Sequence, residues 1–101
     1  MKLDIQNSNA ALTPELRLHI ERRLQFALSR FGTRIGQVTV RLSSLNGLKG
    51  GIDKCCRIEV LVLPSGQAVV ERTNADFENV VDRATGRIGQ SVSQILEQQR
   101  H

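Results

Sequence analysis

No apolar run in this sequence approaches the ~18 residues that a membrane-spanning helix needs. Residues 1–7 alternate polar and apolar side chains and carry charge, so they do not read as a signal peptide. Both absences predict a cytoplasmic protein without a membrane partner. Cysteine is scarce, and the only two, Cys55 and Cys56, are adjacent. Neighbouring strand residues point to opposite faces, which places this pair badly for bridging each other. One is expected to pack inside and the other to stay a free thiol, as a reducing compartment permits. No His/Cys cluster has metal-ligand spacing. There is no nucleophile elbow and no metal signature, and residues 47–51 lack the Lys-Ser/Thr ending of a phosphate loop. His19 and His101 are far apart, and no acidic pair is spaced for acid–base work. The sequence therefore argues against an enzyme, a cofactor, a metal site and a small-molecule substrate.

What remains is enough for one domain, residues 1–101, with 40% hydrophobic residues to build a single core between two layers. Basic residues outnumber acidic ones 14 to 10, and eleven of the 14 are Arg. The planar guanidinium fork matches phosphate oxygens and stacks on bases, so a polyanion partner is favoured, although weakly at this excess.

Residues 2–6 alternate with Leu3 and Ile5 on one face, a short strand that Asn7, Ser8 and Asn9 should break. Thr13 and Pro14 suit a helix cap and first turn. Leu16, Ile20, Leu24, Ala27, Leu28 and Phe31 then form one apolar stripe, which Gly32 ends. Residues 35–45 alternate again, with Val38, Val40 and Leu42 opposite Gln37, Thr39 and Arg41. Residues 46–51 are a glycine-rich connection. Residues 54–63 form a third strand, with Ile58, Val60 and Val62 opposite Arg57, Glu59 and Leu61. Pro64, Ser65 and Gly66 make a hairpin turn into a fourth strand over 68–72. Asn74 or Asp76 caps a last helix carrying Phe77, Val80, Val81, Ala84, Ile88, Val92 and Ile95, with a tail from 97 that should fray. Gly86 and Gly89 interrupt this helix, each at a cost of up to ~1 kcal/mol. The order β-α-β-β-β-α predicts an α+β fold: a four-stranded mixed sheet with two helices packed on one face, its first two strands parallel if adjacent.

At about 100° per residue, His19, Arg23, Phe26 and Arg30 line one edge of the first helix's stripe, and Arg34 follows its end. Arg83, Arg87, Gln90 and Gln94 line one flank of the last helix. Helices packed side by side would border a basic groove, which Lys54 and Arg57 are expected to extend. Arg-lined, with an aromatic nearby, such a groove suits an RNA backbone with occasional base stacking. The same arginines also serve to cover the core edge with their stems, so each taken singly has a plainer explanation.

The ordered set of segments resembles a known family. Met1-Lys2-Leu3-Asp4-Ile5, Leu12-Thr13-Pro14-Glu15-Leu16-Arg17, Phe31 and the run from Arg34 to Leu42 are similar to the ribosome hibernation promoting factor and ribosome-associated inhibitor family. So are Asn46-Gly47, Gly50 to Lys54, Cys56 to Val60, and Phe77 opening the last helix. The resemblance spans essentially the whole chain. It implies a fold like double-stranded RNA-binding domains and no catalysis. It implies binding to small-subunit ribosomal RNA in the decoding channel, occluding transfer RNA and messenger RNA. Under it, Arg23 matches a basic site of the first helix, and Arg83 and Arg87 stand approximately where the second helix is basic. Well-studied relatives carry a lysine-rich end on that helix, whereas residues 90–100 here hold one Glu and a terminal Arg. The groove is accordingly expected to be thinner. Without the C-terminal dimerisation domain of long members, the chain is expected to be a monomer off the ribosome. A competing expectation is a protein-interaction module that kept the fold and uses its open sheet face.

Overall fold

Thr13 sits in extended backbone, and its hydroxyl accepts from the Leu16 amide while Pro14 occupies the first turn. That cap opens helix α1, Pro14–Leu28. The computed structural model describes residues 1–8, 12–44 and 53–100. In chain order, strand β1 (Lys2–Ser8), α1, a 3-10 turn (Ser29–Arg34), strands β2 (Ile35–Ser44), β3 (Lys54–Val62) and β4 (Gly66–Asn74), and helix α2 (Phe77–Gln99) follow one another. The four strands lie in sequence order; β1 pairs parallel to β2, and the other two pairings are antiparallel. This is the expected β-α-β-β-β-α arrangement. The glycine-rich connection, Asn9 and His101 lie outside the described residues.

The alternating pattern decides which face of the sheet is covered. Val38, Val40 and Leu42 of β2, Cys56, Ile58, Val60 and Val62 of β3, and Ala68 and Val70 of β4 are buried on one face. Ile20, Leu24 and Leu28 of α1 and Val80, Val81, Ala84, Ile88 and Val92 of α2 close the core over them. Each such aliphatic side chain contributes roughly 1.5–3 kcal/mol by leaving water. No buried side-chain nitrogen or oxygen among the described residues lacks a hydrogen-bond partner.

Several boundaries differ from the sequence expectation. The α-helical part of α1 ends at Leu28, and Gly32 instead turns the chain within the 3-10 segment, at φ +57°. Asn7 and Ser8 do not break β1, because the parallel register carries them onto Leu42 and Ser43. β4 runs Gly66–Asn74, beyond 68–72, since its pairing with β3 continues from Val62↔Gly66 to Lys54↔Asn74. The tail expected to fray is helical through Gln99, because Ile95 and Leu96 still pack on the core and Arg34 Nη2 donates to the Gln99 side chain. Of the two candidate caps, Asp76 caps α2, accepting from the Asn79 amide at 2.8 Å, while Asn74 accepts from the adjacent Ala75. Both cysteines are reduced and buried, Cys56 in the core and Cys55 on the other face of β3. Among the described residues, no helix is long and apolar enough to cross a membrane.

Candidate nucleic-acid interface

The two helices pack against each other closely at one point. A Cβ on Gly89 would stand 3.3 Å from the Ala27 carbonyl oxygen, so the glycine is what lets α2 approach α1 there. On the exposed side of this contact a cleft of about 350 Å³ opens, lined by Arg23, Phe26, Arg30, Thr85, Gly86 and Gln90 with Ala27 and Gly89 beneath. Helical periodicity explains the lining: residues 23 and 26 share one edge of α1, which Arg30 continues in the 3-10 turn, and 86 and 90 share one edge of α2. The flank carrying Arg83 and Arg87 is one step further round α2, so both arginines stand exposed and outside the cleft lining.

A carboxylate absent from the sequence reading ties the helices together. Asp82 Oδ1 accepts from His19 Nε2 at 2.7 Å and pairs with Arg23 Nε at 3.3 Å. Arg23 Nε also donates to Thr85 Oγ1 at 3.4 Å, and the buried Thr85 hydroxyl donates back to the Val81 carbonyl. Arg23 is thus already half-neutralised. The other cations differ. Arg30 lies over the Phe31 ring at 4.7 Å, and Arg87 Nη1 donates to Gln90 Oε1 at 2.8 Å. Among the described residues no carboxylate pairs with Arg22, Arg30, Arg83 or Arg87.

Several of the residues expected in the groove lie elsewhere. Arg57 is on the uncovered face of the sheet, on the opposite side from the helices, paired with Glu59 at 2.8 Å and with Glu71 at 3.5 Å. The period-two pattern that buries Ile58 inward sends Arg57 outward, so it cannot extend a groove on the helical side. Arg34, past the Gly32 turn, donates from Nε to the Leu63 carbonyl at 2.9 Å and holds the distal end of α2 through Gln99. Lys54 is on the helical side but is occupied by Asp53 at 3.0 Å and lies over the Phe77 ring at 5.7 Å, at the start of α2. Arg23 and Arg30 line the interhelix cleft, whereas His19 lines a concavity by the starts of the helices and reaches α2 through Asp82.

The uncovered sheet face is electrically closed. It carries Lys2, Arg41 and Arg57 against Asp4, Glu59 and Glu71, equal numbers of each sign, with Arg41 also reaching Glu59 at 3.8 Å. Arg57 and Arg41 together hold the Glu59 carboxyl below its ordinary range, and the hydrogen bond to Glu59 pushes the Arg57 guanidinium up. This second, larger concavity, of about 690 Å³, lies by the starts of both helices, but Glu15, Asp76 and Glu78 outnumber its one arginine, Arg22, the wrong balance for a polyanion. Among the described residues, no group of three His, Cys, Asp or Glu side chains is placed to hold a metal ion.

The profile of the family described as "Sigma 54 modulation protein / S30EA ribosomal protein" matches residues 3–100. The chain is similar to the N-terminal domain of Thermus thermophilus Protein Y, at 27% identity and a TM-score of 0.75, over 94% of this chain and 99% of that one. It shares the fold of a ribosomal subunit interface protein from Coxiella burnetii, at 15% identity and a TM-score of 0.76, over 96% and 99% of the two chains. No curated protein matches the sequence.

Proposed function

The chain belongs to the sigma 54 modulation protein / S30EA ribosomal protein family, and from that premise we propose that it is a non-catalytic, ribosome-associated hibernation factor. In this reading a single copy binds small-subunit ribosomal RNA in the decoding channel and occludes transfer RNA and messenger RNA. One observation carries the choice of surface: Arg23 and Arg30 line the interhelix cleft and the exposed Arg83 and Arg87 stand on the adjoining flank of α2, three of the four without a carboxylate partner among the described residues, whereas the sheet face is balanced. Contacts of this kind work through phosphate charge and are weakened by salt.

Co-sedimentation of the purified protein with small ribosomal subunits across a salt series tests the proposal. Association at low salt that fades as salt rises is expected, and the double substitution Arg30→Glu with Arg87→Glu should abolish it. No association even at the lowest salt would overturn the reading. A second reading, a protein-interaction module, draws on Leu61 and Val69, exposed side chains at the hairpin end of the sheet face. It requires that Leu61→Ser weaken a ribonuclease-resistant association while leaving ribosome binding intact.

A further inference from the structure

We propose that the cleft between α1 and α2 seats one unpaired RNA base, stacked on Phe26; this rests on the RNA-binding reading above. Phe26 is 84% exposed, more than any other large apolar side chain described, and contributes nothing to the core. An aromatic ring left in water beside unpaired arginines has the composition of a base-stacking platform, since every base has a π-face and guanidinium groups hold the flanking phosphates. The cleft beside it has a floor, where Ala27 meets Gly89, and an opening, where a Cβ on Gly86 would find no atom within 4 Å. Gly86 therefore keeps open a volume that a larger residue would fill.

The polar edge fits the same occupant. Arg87 takes the oxygen of the Gln90 side-chain amide, which leaves the nitrogen of this cleft-lining side chain as the available donor. Ring nitrogens and carbonyl oxygens of a splayed base are acceptors of matching kind. Arg23 and Arg30 stand at the mouth, where a backbone carrying that base would run. A base stacked and paired within an A-form duplex does not reach such a slot, so the seat is selective for unpaired nucleotides. Duplex or abasic backbone engages only the outer arginines.

Fluorescence anisotropy with three short RNAs tests this: a single strand, its blunt duplex, and the same strand with abasic residues. Phe26→Leu and Gly86→Leu should each weaken single-strand binding roughly tenfold, as loss of a stacked base does, and leave duplex and abasic binding within about twofold. Phe26→Trp should retain single-strand affinity. Both sites are open to solvent, and a thermal melt of each variant identifies any loss of fold. Single-strand affinity unchanged in Phe26→Leu, or lowered equally on all three RNAs, would overturn the base seat while leaving the phosphate-binding face standing. Wild-type protein that binds none of the three at low salt would overturn the RNA reading as well.

Discussion

Gly86 and Gly89 lie within one turn of α2 and should answer oppositely to a methyl group. At Gly86 an added Cβ meets nothing within 4 Å, so Gly86→Ala is expected to stabilise by roughly 0.5–1 kcal/mol through helix propensity alone. At Gly89 the methyl presses on the Ala27 carbonyl at 3.3 Å, a backbone atom that yields only if the helices part. Thermal unfolding followed by circular dichroism should show Gly86→Ala raised by a few degrees and Gly89→Ala below it; equal gains would mean the helices are not in close contact there. Cys56 offers a second residue-scale test. Burial pushes its thiol from an ordinary value of 9.0 up to about 12. The folded chain then keeps a proton that the unfolded chain releases, so this contribution is complete below about pH 9 and is lost as pH rises towards 12. Cys56→Val, which has no proton to lose, is expected to show a shallower fall in urea-melt stability over that range than the wild type.

Two helices make this interface, and their mutual tie is Asp82. Its carboxylate is partly exposed, so its links to His19 and Arg23 contribute at most about 1 kcal/mol. Its larger effect is on binding, because it cancels charge at the mouth of the cleft. Asp82→Asn should tighten RNA binding several-fold at low salt, with little change in melting temperature; weaker binding would show that the tie positions Arg23 for its ligand. The elements themselves were legible in the sequence. Val38, Val40 and Leu42 in alternation specify a half-buried strand, and Thr13 with Pro14 specifies a helix start. The cleft was legible only by halves. Periodicity on each helix picks out Arg23, Phe26 and Arg30, and Gln90, but the level at which α1 meets α2 depends on the Gly89–Ala27 contact, which no single-helix pattern contains. Asp82 went unrecognised for that reason. Arg57 lies off the groove because alternation places it opposite Ile58, whatever its nearness to the glycine-rich connection. Arg34 lies off the groove because the positive-φ Gly32 redirects the chain after α1.

Across the whole molecule, charge is sorted by face. Three arginines without a carboxylate partner among the described residues, Arg30 in the cleft and Arg83 and Arg87 on the adjoining flank, each neutralising one phosphate, imply a log–log salt dependence of affinity with a slope between about −2 and −3. The substitutions Arg41→Gln and Arg57→Gln should leave that slope unchanged, because those side chains belong to the balanced sheet face. A slope that falls in the double variant would place RNA on the sheet instead.

The parallel pairing of β1 with β2 has a kinetic consequence. Lys2 meets Gln37, about 35 residues along the chain, whereas the β3–β4 hairpin closes between Val62 and Gly66. Closing the longer loop costs about 2 kcal/mol more in chain entropy. The β2–β3–β4 meander can therefore form ahead of the amino-terminal β–α unit, which docks onto it last. The cleft exists only once α1 has docked, so a ligand held across both helices acts as a latch on the docked amino-terminal unit.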